Sequence, residues 1–146
     1  MAIGSTLEGQ LLNMLLAGKT IANISATAGA TVTWCALHTA DPSSGTGQNQ
    51  TEVSSATFPA YARTSVDRST GGWTVTGSGP ATASPVATIG FPQLTSTSTG
   101  TASFWSVGTS SSGAGQIIAS GTLTPNIQLG QNVTPQVTTG SSVTLN

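Results

Sequence analysis

The sequence predicts a mainly β protein: an antiparallel β-sandwich, jelly-roll-like, with one N-terminal amphipathic helix. Short runs rich in Thr, Val and Trp alternate apolar and polar side chains with a period of two, as strands do. Clusters of Gly, Ser, Pro and Asp separate these runs at near-regular spacing, which is typical of all-β sandwiches and barrels. Strands do not alternate with helical segments, so a parallel sheet is not predicted. The length of 146 residues suits a single domain spanning residues 1–146.

The helix is predicted over residues 5–17. Ser5 followed by Glu8 fits a capping box at its start. Gly18 relieves the last turn, and the cation of Lys19 faces the negative end of the helix dipole. The apolar run within this segment is too short to span a bilayer, so no membrane partner is predicted.

An apolar stripe runs along one face of the predicted helix. It consists of Leu7, Leu11, Met14 and Leu15. Because no second helix is predicted, this stripe has to be buried on a sheet or on a neighbouring subunit. Leu11 and Leu15 are therefore predicted protein-interaction residues.

The sandwich is predicted over residues 30–146. Its first strand covers residues 31–39, with apolar groups on both faces, and ends at Asp41-Pro42. A long polar loop follows over residues 41–58. Since structureless loops of this length are uncommon in compact domains, we expect an arm that orders on a partner, or else a flexible insertion.

Seven further segments have strand character between Gly-, Ser- and Pro-rich turns. The pair Gly71-Gly72 between two of them is a plausible hairpin signal. The predicted strands cover residues 61–67, 73–76, 85–91, 101–107 and 116–123, short strands between 127 and 137, and 142–145.

Charged residues make up only 5% of the chain, and the net charge is −1. An average soluble domain has roughly 25% charged residues. A surface covered by hydroxyl and amide groups can pack on a partner without burying unpaired charge, so it suits docking. Three Lys and Arg residues cannot neutralise a run of phosphates, which argues against a nucleic-acid partner. A disordered Ser/Thr-rich stalk is disfavoured by the aromatic residues placed along strand-like runs.

Catalytic groups are scarce, and the best enzyme-like constellation is Cys35, His38 and Asp41. Positions 35 and 38 point to opposite faces of one strand, so a Cys/His dyad fails on geometry. We expect His38 to be hydrogen-bonded by a turn-forming Asp41. One His and one Cys are too few for a metal site, and the spacing of the carboxylates suggests no glycosidase pair. No enzyme activity, cofactor or metal is predicted.

Arg63 is the third candidate contact residue, and Glu52 the fourth. An ion pair of Arg63 with Glu52, Asp41 or Asp67 would help to fix the long loop. Arg63 could equally reach a carboxylate of a neighbouring subunit or remain solvated, and the sequence leaves these alternatives open.

Three motifs follow one another in the first half of the chain. The run WCALHTADP occupies residues 34–42, EVS occupies 52–54 and YAR occupies 61–63. Together they resemble a family of small virion structural proteins of tailed bacteriophages with the pattern LHTADP…EVS…YAR. Later stretches, IGFP, FWSVG and IASGTL, extend the resemblance over nearly the whole chain. The polar insertion at residues 43–51 departs from the pattern, which puts the contact made by this loop in doubt.

The resemblance implies a non-enzymatic virion component, made in the host cytoplasm. Members are often labelled tail-fibre or unspecified structural proteins. Size and composition favour a capsid cement or decoration protein, a trimer that binds the outside of the major capsid protein shell and stabilises it. A tail, fibre or collar component that contacts other virion proteins is the alternative.

A carbohydrate-binding adhesive module is a further alternative, because exposed tryptophans stack on sugars. The chain has three, Trp34, Trp73 and Trp105. All three lie in predicted strands, which favours burial in the core instead.

Replacing Leu11 or Leu15 with Asp is expected to weaken folding or assembly, because each change places a charge in an apolar contact. Solubility and binding to phage particles measure this effect. Both variants behaving as the parent protein does would show that the helix stripe makes no contact.

Overall fold

The computed structural model describes residues 31–76 and 81–145, and the predicted helix at residues 5–17 lies outside them. Every strand pairing in this part of the chain is antiparallel. The strands are β1 (Val32–His38), β2 (Thr64–Asp67), β3 (Trp73–Thr76), β4 (Ala81–Pro85), β5 (Ile89–Gly90), β6 (Gly100–Gly108), β7 (Ile117–Leu129), β8 (Gln136–Val137) and β9 (Val143–Leu145).

The strands form three sheets in the described residues. The largest has the order β2-β1-β6-β7, the second has the order β3-β4-β9, and the third pairs β5 with β8. The prediction of a mainly β, antiparallel protein is confirmed. Its specific form as a sandwich or jelly roll stays a prediction.

Strand β1 lies inside the largest sheet, between β2 and β6. Cys35 and Leu37 are fully buried on one face, and Ala36 and His38 are fully buried on the other. The prediction of a strand covered on both faces is confirmed.

The core lies against the largest sheet and draws on most of the described chain. Two stacked aromatic pairs are part of it: Tyr61 with Phe91, at a ring-centroid distance of 6.1 Å, and Trp73 with Trp105, at 6.5 Å. The buried hydrophobic cluster consists of Cys35, Leu37, Val53, Phe58, Tyr61, Ile89, Phe91, Leu94, Ala102, Trp105, Val107, Leu123, Leu129 and Val137.

Strand β7 is longer than predicted and continues past residue 123 to Leu129. Its pairing with β6 shifts register between Ala102 and Phe104, and the extra β7 residues at this shift include Pro125. Proline has no backbone N–H to donate, so the irregularity accommodates it without a lost ladder bond. The predicted strand over residues 85–91 is also wrong, because β4 ends at Pro85 and β5 begins only at Ile89.

The predicted hairpin at Gly71-Gly72 is wrong. Strands β2 and β3, which flank it, belong to different sheets. The turn is tight: the backbone nitrogens of Gly72 and Trp73 both donate to the carbonyl of Ser69, at 3.1 and 3.0 Å. A Cβ on Gly72 would lie 2.1 Å from the carbonyl oxygen of Asp67, so only glycine fits this crossing between sheets.

The polar loop at residues 41–58 folds back on its own chain, which differs from the predicted extended arm. The backbone of Thr39 donates to Thr51, and that of Val53 donates to Leu37, both at 2.9 Å. Val53 and Phe58 are buried in the core. These two apolar residues and the backbone hydrogen bonds hold the loop against the body. The polar composition of the loop gave no indication of these contacts.

Candidate functional site

Arg63 lies one residue before β2, and its side chain is only 2% exposed. A buried guanidinium is costly unless ion pairs and hydrogen bonds satisfy it. In the structure the partner is Glu52, whose side chain is 16% exposed. The structure thus decides among the alternatives that the sequence left open.

All five N–H donors of the Arg63 guanidinium are used. Nε donates to Glu52 Oε1 at 2.8 Å, and Nη2 donates to Glu52 Oε2 at 2.7 Å, which is a bidentate pair. Nη2 also donates to the carbonyl of Gly113 at 2.6 Å. Nη1 donates to the carbonyl of Ser110 at 2.8 Å and to Gln48 Oε1 at 3.2 Å. One side chain therefore ties together the polar loop, the start of β2 and the turn between β6 and β7.

Gln48 extends this arrangement to β1. Its side-chain amide donates to the carbonyl of Trp34 at 2.7 Å, and its backbone nitrogen donates to the carbonyl of Ala114. The side chain is fully buried because it lies over Gly108, where an added Cβ would come within 2.2 Å of Gln48 Oε1. Gly108 thus leaves the space that the buried amide needs. We call Arg63, Glu52 and Gln48 the polar anchor.

Tyr61 connects the polar anchor to the hydrophobic core. Its hydroxyl donates to Glu52 Oε1 at 3.2 Å and accepts a hydrogen bond from the backbone nitrogen of Leu37 at 2.9 Å. Burial, and then the charge of Glu52, raise the pKa of the Tyr61 hydroxyl. The hydroxyl therefore remains protonated and keeps its role as donor.

His38 is held in the neutral form inside the sheet. Burial is the main cause that lowers the pKa of His38 from 6.5, and it outweighs the bond to Gln50 and the nearby charge of Glu52, which raise it. Nδ1 donates to the carbonyl of Gln50 at 2.8 Å, so in the neutral ring Nε2 accepts from the hydroxyl of Ser106 at 2.8 Å. His38 thereby fastens the polar loop to β6.

The constellation of Cys35, His38 and Asp41 does not form a catalytic unit. Burial raises the pKa of the Cys35 thiol to about 12, so the thiolate form is disfavoured. Both ring nitrogens of His38 are bonded to Gln50 and Ser106, so the predicted hydrogen bond from Asp41 is wrong. Asp41 does form the expected turn, since its Oδ1 accepts from the backbone nitrogen of Ser43 at 2.9 Å.

A polar cleft of about 410 Å³ opens beside the polar anchor. Glu52, Arg63 and Tyr61 line it together with four serines. The guanidinium at this cleft has all its donors in use, and the carboxylate accepts three hydrogen bonds, two from Arg63 and one from Tyr61. Among the described residues, no group of three His, Cys, Asp or Glu side chains could hold a metal ion. Within the same ranges, no helix has the length and apolar character needed to cross a membrane.

The predicted contact residues have different outcomes. The structure brings Arg63 and Glu52 together within one chain, whereas Leu11 and Leu15 lie outside the described residues. A contact of any of these four residues with a partner protein stays a prediction. Sequence reasoning missed Gln48, because no local pattern distinguishes it in a chain rich in amide side chains.

The three tryptophans differ in their exposure. Trp105 is buried, and Trp34 and Trp73 are half-buried. One face of Trp73 stacks on Trp105, and its indole N–H donates to the hydroxyl of Thr33 at 3.3 Å. Trp73 and Trp105 therefore pack on each other, and binding of a carbohydrate stays a prediction.

These features define a class of protein: a charge-poor antiparallel β scaffold whose ionisable side chains mostly serve internal bonds. Residues 2–144 match the model of a protein family described as podophage GP4 fiber I protein gp80. The chain belongs to this family. No curated protein matches the chain.

Family membership supports a structural role in the bacteriophage virion, as the resemblance implied. The coarse prediction of a phage virion protein is thereby confirmed, whereas the match does not test the specific LHTADP…EVS…YAR pattern. The family description names a fibre protein, and phage fibre protein families are typically non-enzymatic.

Separating the ion pair is expected to destabilise the fold strongly. Arg63→Met leaves a buried carboxylate unpaired, and the loss of one partner of a buried pair costs about 3–5 kcal/mol. Glu52→Gln removes the opposite charge. The double variant is expected to cost less than the sum of the two single variants by about 1–3 kcal/mol, because the first change already breaks the pair. Urea denaturation of the four proteins measures this coupling.

Asp67→Asn is the matched control for Glu52→Gln, since both remove one carboxylate charge and the Asp67 side chain is exposed. The control is expected to change the free energy of unfolding by less than about 0.5 kcal/mol. Additive effects of Arg63→Met and Glu52→Gln would show that the pair contributes no coupling.

Acidification is expected to destabilise the protein through His38. The unfolded chain takes up a proton on His38 below pH 6.5, while the folded state resists it because burial lowers the pKa. The full stability is present above pH 6.5 and falls as the pH drops toward the folded pKa, by up to about 1.4 kcal/mol per pH unit. Urea titrations of the parent and His38→Gln proteins at several pH values measure this slope. Equal pH slopes for the two proteins would contradict the assignment.

Proposed function

We propose that this chain is a structural component of the phage fibre, positioned at the tail, and that it works by docking on other virion proteins. The observation that carries the proposal is the fibre-family match over residues 2–144. The polar anchor supports it, because a fibre component needs a rigid body rather than a reactive site.

The surface of the described residues suits docking on a protein. Pairing Arg63 with Glu52 removes two charges from the surface. The exposed charged side chains in the described ranges are then Asp41, Asp67 and Arg68. A partner can cover most of the remaining surface without desolvating an ion, which is the main electrostatic cost of association.

A capsid cement protein, as the composition first suggested, would use the same uncharged surface. The family description favours the fibre alternative, because it names a fibre component and not a decoration of the shell. Self-association, including the predicted trimer, belongs to the proposal because fibres are built from repeated copies.

Imaging of the purified phage particle tests the location. An antibody against the chain, carrying a gold label, is expected to mark the tail vertex alone. An antibody against the major capsid protein serves as the control that the shell is accessible. Quantitative mass spectrometry of the same particles is expected to give a low copy number relative to the capsid protein.

Label distributed over the whole shell, with copies in proportion to the capsid protein, would overturn the fibre assignment in favour of capsid decoration. Absence of the chain from intact particles would overturn a virion role altogether. Sedimentation of the purified protein measures self-association, and a monomer at high concentration would contradict that part of the proposal.

A further inference from the structure

A second cleft, of about 360 Å³, lies where the two larger sheets meet. One wall comes from β3, β4 and β9 and carries Val75, Ala83 and Val143. These three residues are direct neighbours across the sheet, since Val75 pairs with Ala83 and Ala83 pairs with Val143. The wall is thus a continuous apolar row, which we call the valine row.

The opposite wall comes from the largest sheet. It carries Val107 of β6 together with Ile118 and Ala119 of β7. Val107 pairs with Ala119, and the register shift at this point places Ile118 as the extra residue. Trp73 closes one side of the cleft. We call the whole cleft the apolar groove.

The apolar groove is incompletely covered by the described residues. Val75 is 68% exposed, although it belongs to the valine row. The other large hydrophobic residue exposed in the described ranges is Val86, 47% exposed, which does not line the groove. Exposed Val75 and half-buried Trp73, Ile118 and Val143 line the same cleft, so they form one apolar surface rather than scattered single residues.

The chain enters the described region at the rim of this groove. Thr31 is the first described residue, and its carbonyl accepts a hydrogen bond from the backbone nitrogen of Arg68 at 2.8 Å. Arg68 and Thr33 both line the groove. Residues 1–30 therefore connect to the body immediately beside the uncovered apolar surface.

The geometry points to the N-terminal segment of the same chain, residues 5–17, as the occupant of the apolar groove. Its predicted stripe of Leu7, Leu11, Met14 and Leu15 has the apolar face that the groove lacks. In this proposal the apolar stripe of the predicted helix packs on the valine row, where the two sheets meet. This interaction does not depend on where in the virion the protein is placed.

The connection to the groove favours the segment of the same chain over that of a second copy. Only residues 18–30 separate the predicted helix from Thr31, and they include two glycines, Gly18 and Gly29, and several small polar side chains. Attachment through a short linker gives a segment a high effective concentration, about millimolar. A free second copy in dilute solution competes poorly with such a segment.

Cysteine cross-linking of the full chain tests the contact between residues 5–17 and the apolar groove. Leu11→Cys combined with Val75→Cys is expected to form an intramolecular disulfide under mild oxidation. Leu11→Cys combined with Val86→Cys is the matched control, because Val86 is exposed but lies outside the groove. The native Cys35 is buried and stays out of the reaction. A non-reducing gel distinguishes a compact monomer from a covalent dimer.

Hydrogen exchange provides a second measurement on the same contact. Amides within residues 5–17 are expected to be protected in the parent protein. Val75→Asp is expected to make them exchange at least about tenfold faster, because it puts a charge under the stripe. Val86→Asp is expected to leave them unchanged. Protection of the β6 and β7 amides reports that the body remains folded.

A covalent dimer from the Leu11/Val75 pair would overturn the assignment to the same chain and show that a second copy occupies the groove. If the Leu11/Val86 control pair cross-links as well as the Leu11/Val75 pair, the proposed contact with the apolar groove is wrong. Absence of protection within residues 5–17 of the parent, or protection unchanged by Val75→Asp, would overturn the inference as well. If Val75→Asp unfolds the body, the cross-linking pair still decides.

Discussion

The buried ion pair between Arg63 and Glu52 is the constraint on which the rest of the described structure depends. Placing a guanidinium at 2% exposure requires a partner for every donor, and the chain supplies those partners from two separate segments, the polar loop and the turn between β6 and β7. The polar loop is therefore fixed in position despite its composition. The same pairing removes two charged side chains from the surface of a chain in which only 5% of the residues are charged.

Around this pair, the polar and apolar parts of the interior are continuous. Tyr61 bonds to Glu52 at its hydroxyl and stacks on Phe91 with its ring. His38 fastens the loop to β6 as a neutral ring. The residues that resemble catalytic groups thus serve as hydrogen-bonding elements.

The strands of the fold could be predicted from the sequence better than the way in which they join into sheets. The predictions of strands near residues 31–39, 73–76 and 101–107 agree with the structure, because alternation of apolar side chains is a local signal. The turn at Gly71-Gly72 was predicted as a hairpin, yet it crosses between sheets. A two-residue glycine signal specifies a reversal of the chain but carries no information about which strand the next one joins.

The sequence alone established the class of the chain: few charges, antiparallel strands, no constellation fit for catalysis, and motifs typical of phage structural proteins. These properties are local or compositional, so they can be read without three-dimensional contacts. The partner of Arg63, the burial of Gln48 and the apolar groove depend on residues far apart in the chain. Tertiary packing selects one carboxylate among several equally charged candidates, because only Glu52 is brought within hydrogen-bond reach by the pairing of the polar loop with β1.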